Sequence, residues 1–337
     1  MRKTLQFAAL VCIFLSAFIC GEISPARAGK GDKGLVYDGK NGAAIIENYY
    51  GTSKDEAINA RVEAIGRKLA EASERRDLSY VFRVLDGKMV NAFSCPLNYI
   101  FVFRGLADFM PDDAELAGAL AHEIAHFEKG HISFRSDKAV AGGERGKLRR
   151  QKMQENHEHE YQADAGGFYL ALKAGYNPYG IFVTISKLSV KSGARASKSH
   201  PPVAERVDRL SALAKSENIL PEVVPAGTAA AIQAGGWHIV IKEPAGGYSA
   251  LARAWLLAGN LHLLKNCRPV APEKFSARAD GLGAKIYYDG AELYAVRQTD
   301  LKGSGFTSAD ALARWYVDRF REFAHEVEYD RPPAAMG

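Results

Sequence analysis

The five residues from His122 to His126 constrain the fold of this chain more than any other feature of its sequence. They read His-Glu-Ile-Ala-His, so the two histidines are four positions apart. In an α-helix, residues four apart lie about 40° from each other around the axis, so both imidazoles face one side and can share a metal ion. Glu123 is rotated by about 100° from His122, close enough to hold a metal-bound water without becoming a ligand itself.

The segment around this motif has the start and stop signals of a helix over residues 112–129. Pro111 stands just before it, and Gly130 is available for the left-handed position that often follows the last helical residues. The pattern therefore predicts a helix that carries both histidines near its C-terminal end.

A metal held by two histidines needs a further protein ligand. Metzincins carry Gly three and His six residues after the second histidine, but this chain has Lys129 and Ile132 at those positions. His131 is five residues after His126, about 140° around the helix, and is poorly placed to join the same metal. The third ligand is therefore expected from another helix.

A second predicted helix, over residues 157–174, supplies candidates. Glu160 and Asp164 are again four residues apart, so one carboxylate can bind the metal while the other hydrogen-bonds a ligating imidazole. His157 and His159 lie on the same turn and are alternative ligands. Two histidines and one carboxylate leave a zinc ion with an open fourth position, which is typical of catalytic sites.

The rest of the chain has the composition of a globular protein. Of its 337 residues, 47% are hydrophobic and 25% are charged, which argues against a disordered, collagen-like or polytopic membrane protein. The net charge is +5 and no long block of like charge is present, so we expect no nucleic-acid partner.

Residues 1–28 are predicted to be a signal peptide. A basic start precedes an apolar run over residues 5–20, and Ala26-Arg27-Ala28 then supplies the small-x-small pattern of a signal peptidase site. The run is shorter than the ~20 residues that span a bilayer, so we expect an exported chain, with an uncleaved anchor as the alternative. The periplasm is the expected location, and the extracellular space is the alternative. Cys95 and Cys267 would remain there and can form a disulfide.

The length predicts two domains. The first is expected over 29–215 and a small C-terminal α+β domain over 237–337, with a linker over 216–236 between them. The first begins with a loose arm over 29–51, followed by an amphipathic helix with Ile58 and Leu69, and by strands over 80–85, 89–93 and 99–103, with a hairpin at Asp86-Gly87. A charged loop over 134–156 separates the two metal-binding helices, and a third helix follows Pro202. The last domain has a strand over 237–241, a hairpin over 286–296 and a terminal helix.

Five short motifs follow one another in the first domain. In chain order they are Asn91-Ala92-Phe93; His122-Glu123-x-x-His126 with His131; Glu160-x-x-Ala163-Asp164-x-x-Gly167; Ala174-Gly175-Tyr176-x-Pro178; and Ser199-His200-Pro201 before Arg206. In this combination and order they resemble peptidase family M48, whose members include heat-shock proteases and CAAX prenyl endopeptidases. The resemblance covers residues 45–215, about half of the chain, and the predicted signal peptide suggests the soluble exported branch.

The resemblance implies an α+β fold with a mostly helical zincin domain, of the gluzincin type, and a small β-sheet edge. It implies one Zn²⁺ per chain on His122, His126 and Glu160, with Glu123 as the general base that activates the metal-bound water. Asp164 is then the carboxylate behind a ligating histidine. The activity implied is endopeptidase cleavage of exported or envelope proteins, in particular unfolded or misassembled ones.

Two further assignments follow from the resemblance. His200 and Arg206 are candidate donors to the oxyanion that forms during hydrolysis, and the alternative for His200 is the fourth zinc position, which would hold the enzyme latent. The strand containing Tyr99, Ile100 and Phe101 matches the edge strand to which an extended substrate pairs. The family usually has small or Gly-rich residues just before that strand, where this chain has Ser94-Cys95-Pro96-Leu97-Asn98.

Two other classes of protein remain alternatives at this stage. One is a chaperone-like or scaffold protein that binds its partners and keeps a latent zinc site. The other is a metal-dependent hydrolase of substrates other than peptides. The charged segment 134–156 is either a lid over the site or an exposed insertion.

Overall fold

The structure is a computed structural model that describes residues 39–95, 97–131, 145–192, 200–264 and 270–329. The predicted signal peptide and Cys267 lie outside these ranges. Cys95 is described and is buried. The chain divides into two compact units, one up to Ser211 and one from Ala212 onwards. Both units combine helices with small sheets, and the predicted α+β class is confirmed.

The first unit contains most of the helices. Its described elements are α1 (Gly39–Tyr50), α2 (Glu56–Ala72), β1 (Val81–Leu85), β2 (Ala92–Cys95), β3 (Tyr99–Phe103), α3 (Arg104–Phe109), α4 (Asp113–Glu128), α5 (Arg145–Lys173), α6 (Gly180–Ser192) and the start of α7 (Val203–Ser216). Helix α4 is central, because it packs against α2, α5, α6 and β2. The predicted arm is wrong for residues 39–50, which form α1.

Local signals explain where α4 begins and ends. Asp112 accepts a hydrogen bond from the backbone of Ala114, and Glu115 reaches back to the backbone of Asp112, which completes a capping box. At the other end Gly130 adopts a φ of +69°, as predicted for the residue after the helix. Between these ends the side chains of α4 are almost all buried, which holds the His122–His126 motif in the core.

The three-stranded sheet of this unit has the order β1-β3-β2. Strand β3 runs parallel to β1 and antiparallel to β2, so the predicted hairpin between the first two strands is wrong. The backbone carbonyl of Gly87 instead accepts a hydrogen bond from Gly105, beyond the end of β3. The tight turn lies between β2 and β3, where Leu97 and Asn98 both have positive φ.

The prediction that Tyr99, Ile100 and Phe101 lie on an edge strand is also wrong. Strand β3 is the central strand and pairs on both sides. One of its faces packs in a core with α2 and α4, and the other packs in a core with α1. A central strand that is buried on both faces has a continuous apolar sequence, which explains the run of five apolar residues from Tyr99 to Phe103.

Helix α5 begins twelve positions before the predicted start at His157, because Arg145 is its first residue. The prediction of a loop is therefore wrong for residues 145–156, and residues 132–144 lie outside the described ranges. This part of α5 lacks an apolar stripe, so no helical period is visible in it. Its Arg, Lys, Gln and Glu residues are nevertheless good helix formers, which accounts for the longer helix.

Helices α4 and α5 approach each other closely beside the histidine motif. A Cβ on Gly167 would lie 2.9 Å from the backbone nitrogen of His122, and a Cβ on Gly166 would lie 2.8 Å from the Cβ of Ala125. Only glycine leaves room for this contact. The approach brings the carboxylates of α5 within reach of the imidazoles of α4.

Replacing Gly167 by Ala is expected to lower the free energy of unfolding by about 1–3 kcal/mol, because the added methyl group pushes α5 away from α4. Helix propensity alone predicts the opposite sign, since Ala stabilises a helix by about 1 kcal/mol relative to Gly. Urea denaturation of the metal-free chain decides between them. A variant more stable than the wild type would show that the two helices can separate without cost.

The second unit repeats one order of elements, three antiparallel strands followed by a helix. Strands β4 (Glu222–Ala226), β5 (Ala229–Ala234) and β6 (Trp237–Ile241) precede α8 (Ala250–Leu264), and β7 (Phe275–Ala279), β8 (Gly283–Tyr288) and β9 (Ala291–Arg297) precede α9 (Ala309–Tyr329). The predicted strand at 237–241, the hairpin and the terminal helix are confirmed. The linker predicted over 216–236 is wrong, because β4 and β5 lie within it.

A buried ion pair joins the two halves of the second unit. Arg253 on α8 donates two hydrogen bonds to the carboxylate of Asp300, at 2.6 and 2.7 Å, and two more to the carbonyls of Glu243 and Ala295. All four hydrogen bonds of Arg253 go to carboxylate or carbonyl oxygens, which only accept, so the buried guanidinium has suitable partners. The described helices of both units include none that is long and apolar enough to cross a membrane.

Candidate metal centre

His122, His126 and Glu160 form one group of converging ligand atoms. The Nε2 atoms of the two histidines are 3.2 Å apart. Glu160 places Oε2 3.6 Å from Nε2 of His122 and Oε1 3.6 Å from Nε2 of His126. This is the only group of three or more metal-type side chains found among the described residues.

These three distances fit a tetrahedral zinc ion. Zinc binds imidazole nitrogen and carboxylate oxygen at about 2.0–2.1 Å, so two ligands of a tetrahedral ion lie about 3.3 Å apart. The observed separations of 3.2 and 3.6 Å bracket that value. The two contacts of Glu160 with the histidines, at 3.6 Å, are longer than hydrogen bonds, so direct hydrogen bonding between them does not account for the convergence. The residues present therefore fit the zinc that the sequence predicts.

Asp164 and Arg206 stand behind His122. Oδ1 of Asp164 lies 3.0 Å from Nδ1 of His122, on the side of the ring opposite to the ligand atom. The guanidinium of Arg206 donates to both oxygens of Asp164, at 2.5 and 2.7 Å. All three side chains are largely buried. The carboxylate of Asp164 is placed where it can orient His122, and Arg206 holds that carboxylate in position.

The structure places Arg206 differently from the sequence prediction, which made it a donor to the reacting oxyanion. Its guanidinium is buried and forms an ion pair with Asp164. The Nη2 atom of Arg206 also lies 3.6 Å from Oε2 of Glu160. Arg206 is therefore a positioning residue for the carboxylates of α5. His200 is half-buried, and its Nδ1 lies 2.7 Å from Oε2 of Glu160, beside the metal group.

Glu123 is buried next to the two histidines, on the same turn of α4. Its Oε2 accepts a hydrogen bond of 2.6 Å from Oγ of Ser94, and its backbone carbonyl lies 3.0 Å from the same hydroxyl. Ser94 belongs to β2, so this contact ties the end strand of the sheet to the motif helix. One carboxylate oxygen of Glu123 is held in place by this contact.

Burial and mutual charge set the protonation states of the group. Burial, together with the charge of His122, lowers the pKa of His126 to about 3. Burial alone would raise the pKa of Glu160, but His200, His122 and Arg206 outweigh it and hold that pKa well below its usual value. A neutral His126 and an ionised Glu160 are the forms that bind a metal ion.

His122 and Glu123 are shifted in a different way. Burial acts to lower the pKa of His122, but the hydrogen bond to Asp164 and the charge of Glu160 outweigh this effect and raise it. Burial raises the pKa of Glu123, against the opposing influence of His122 and Ser94. A carboxylate with a raised pKa is a better proton acceptor, which suits a general base.

The two alternative ligands on α5 lie elsewhere. Neither His157 nor His159 belongs to the converging group. The ring of His159 stacks on the ring of His131, with centroids 4.0 Å apart and an angle of 14° between the planes. His131 itself reaches the far side of His126, with 3.0 Å between their Nδ1 atoms.

Sequence reasoning missed Ser94 and the contacts of His131. Ser94 lies in the segment that departs from the family pattern, but no motif connects this strand residue to Glu123, which is 29 positions away on a helix. The predicted direction of His131 assumes that the helix continues to that residue. Because α4 ends at Glu128 and turns back at Gly130, His131 approaches His126 from a direction that helical geometry does not give.

Comparisons with known proteins find similarity to metallopeptidases. Residues 56–140 match Peptidase family M48. The chain is 30% identical over 159 residues to Metalloprotease LoiP of Escherichia coli, covering 39% of this chain and 63% of that protein. It is 25% identical over 183 residues to Metalloprotease YcaL of the same organism, covering 47% of this chain and 70% of the relative. A putative β-barrel assembly-enhancing protease of Vibrio cholerae is 26% identical over 102 residues, which are 30% of this chain and 21% of that protein.

The fold and the site define a metallopeptidase-type domain with two histidines on one helix and a glutamate on the next. The family predicted from the motifs is confirmed: residues 56–140 match peptidase family M48, and two of the similar proteins are named metalloproteases. It spans less than two thirds of LoiP and about a fifth of the β-barrel assembly-enhancing protease.

Proposed function

We propose that this protein is a zinc-dependent endopeptidase. The observation that supports this most directly is the set of three ligand atoms at tetrahedral distances, with the buried carboxylate of Glu123 beside it. Similarity to proteins named metalloproteases supports the same activity. His122, His126 and Glu160 would hold the ion. A bound Zn²⁺ supplies a Lewis acid that polarises the scissile carbonyl and lowers the pKa of a water molecule to about 7.

The residues of the chain then supply proton transfer and positioning. Glu123 takes a proton from the attacking water and delivers it to the leaving amine. Its hydrogen bond from Ser94 keeps one carboxylate oxygen fixed, so that the other is available for the proton. His200, beside Glu160 and half-buried, is the proposed donor to the oxyanion. Asp164 and Arg206 keep the metal-binding side chains in place.

The strand that an extended substrate would pair with is β2 rather than β3. Strand β2 stands at the end of the sheet, and Ser94 connects it to Glu123 on the motif helix. A peptide that pairs with the outer side of β2 therefore passes close to the catalytic groups. Main-chain hydrogen bonds of this kind bind a substrate without requiring a particular sequence, as suits a protease for unfolded chains.

Exported or envelope proteins are the proposed substrates, in particular unfolded or misassembled ones. The apolar N-terminal run with its small-x-small site supports export to the periplasm. The name of one relative, a putative β-barrel assembly-enhancing protease, supports a role in the quality control of envelope proteins.

The purified chain is expected to contain about one zinc per molecule and to cleave unfolded casein. A chelator such as phenanthroline should remove both the zinc and the activity, and added Zn²⁺ should restore them. Zinc measured by atomic absorption and cleavage followed on gels test this. A chain that retains stoichiometric zinc but cleaves no unfolded protein at any pH, with or without replacement of His200 by Ala, would contradict the proposal and favour a binding protein.

A further inference from the structure

The turn that ends α4 brings His131 back onto a metal-binding histidine. The backbone nitrogen of Gly130 donates to the carbonyl of Phe127 at 3.0 Å, and that of His131 donates to the carbonyl of His126 at 2.9 Å. These two bonds form a Schellman motif, which needs the left-handed conformation that Gly130 adopts. His131 is therefore anchored to the backbone of the residue whose side chain it also contacts.

A chain of three side-chain contacts leads away from His126. Nδ1 of His126 lies 3.0 Å from Nδ1 of His131, and Nε2 of His131 lies 3.0 Å from Oε1 of Gln162. Nε2 of Gln162 then donates to Oε1 of Glu158, at 3.1 Å. Each contact is within hydrogen-bond distance, and the chain runs from α4 to the exposed side of α5.

Glu158, at the outer end, determines which atom donates and which accepts in each of the three hydrogen bonds. An ionised Glu158 only accepts hydrogen bonds, so Gln162 turns its NH₂ towards Glu158 and its oxygen towards His131. An amide oxygen also only accepts, so Nε2 of His131 carries the proton and Nδ1 of its neutral ring accepts. His126 must then carry its proton on Nδ1, and its Nε2 is left with a lone pair directed at the metal group.

We propose that Glu158, Gln162 and His131 are positioning residues that fix the tautomer of His126 and so prepare its Nε2 to bind the metal ion. This inference rests on the proposed metal site. The other ligating histidine, His122, is oriented by the carboxylate of Asp164, whereas His126 is oriented by a neutral chain whose only charge is at its outer end. The ring of His159, stacked on His131, keeps that ring in its plane.

Replacing Gln162 by Met tests this series of hydrogen bonds, because Met has a similar length but neither donates nor accepts a strong hydrogen bond. The zinc affinity of the metal-free full chain, measured by competition with a chromophoric chelator, is expected to fall about 10–100-fold, the usual effect of removing a partner of a ligating histidine. Gln233→Met, at an exposed position of β5, is the matched control and should bind zinc as the wild type does.

A swapped variant separates the direction of the chain from simple packing. In Glu158→Gln/Gln162→Glu, the carboxylate at position 162 accepts from His131 and also from the amide at position 158, so the direction is preserved. Its zinc affinity is expected to be close to that of the wild type. In parallel, ¹⁵N spectra of the metal-free chain should show His126 with its proton on Nδ1, and a mixture of tautomers in Gln162→Met.

The outcomes distinguish this inference from the proposed function. The positioning role is contradicted, and the metal site is retained, if the wild type binds zinc tightly while Gln162→Met and Gln233→Met have equal zinc affinities. The same conclusion follows if His126 carries its proton on Nε2. If the wild type binds no zinc, the proposed function itself fails. A loss in Gln162→Met that the swapped variant does not recover would assign the effect to packing and would also overturn the inference.

Discussion

Replacing Glu123 by Gln is expected to reduce kcat/KM for peptide cleavage by about 10²–10⁴-fold or more, the usual contribution of a general acid–base group. The amide has the size of the carboxylate and can still accept a hydrogen bond from Ser94, so the fold and the ligand group should be unchanged. What it lacks is the ability to take a proton from water. Zinc content should therefore remain near one per chain while cleavage of casein is lost.

The matched control for this variant is Glu71→Gln, which makes the same chemical change at an exposed position of α2. It should cleave casein at the rate of the wild type. Zinc content must be measured on both variants, because a loss of metal in Glu123→Gln would make the loss of activity uninformative about proton transfer. Substantial cleavage by a zinc-loaded Glu123→Gln variant would contradict the assigned role of this residue.

The metal group could be predicted from the sequence because its geometry is almost entirely local to two helices. The spacing of His122 and His126 sets their relative direction within one helix, and Glu160 and Asp164 obey the same rule on the next. What had to be supplied by the fold was the distance between the helices. Gly166 and Gly167 allow that approach, and their importance becomes visible only when the backbone of α4 is seen beside them.

The strand order and the contacts around Glu123 and His126 could not be predicted from local spacing. A hairpin signal at Asp86-Gly87 is local, but the pairing of β1 with β3 depends on a connection through β2 that no short pattern describes. The contact between Ser94 and Glu123 joins a strand to a helix, and the contact of His131 with His126 depends on where one helix stops. Long-range packing decides the first two, the end of a helix decides the third, and periodicity describes none of them.

Replacing Arg206 by Met is expected to lower the free energy of unfolding of the first unit by about 3–5 kcal/mol, the usual cost of removing one partner of a buried ion pair. Met fills much of the same space but leaves the buried carboxylate of Asp164 without the two hydrogen bonds it now accepts. Urea denaturation of the chelator-treated chain measures the effect without a contribution from bound zinc.

Arg209→Met is the matched control, because Arg209 lies one turn further along α7 and is about half exposed. Its partners are Glu205, at 3.6 Å, and the ring of Tyr161, 3.8 Å below the guanidinium. Contacts of this kind contribute about 1 kcal/mol or less. The double variant Arg206→Met/Asp164→Leu should be more stable than Arg206→Met alone, since it leaves no unpaired charge in the interior. Equal destabilisation by Arg206→Met and Arg209→Met would mean that the buried pair does not hold α7 against α5. The position of Asp164 behind His122 would then need another cause.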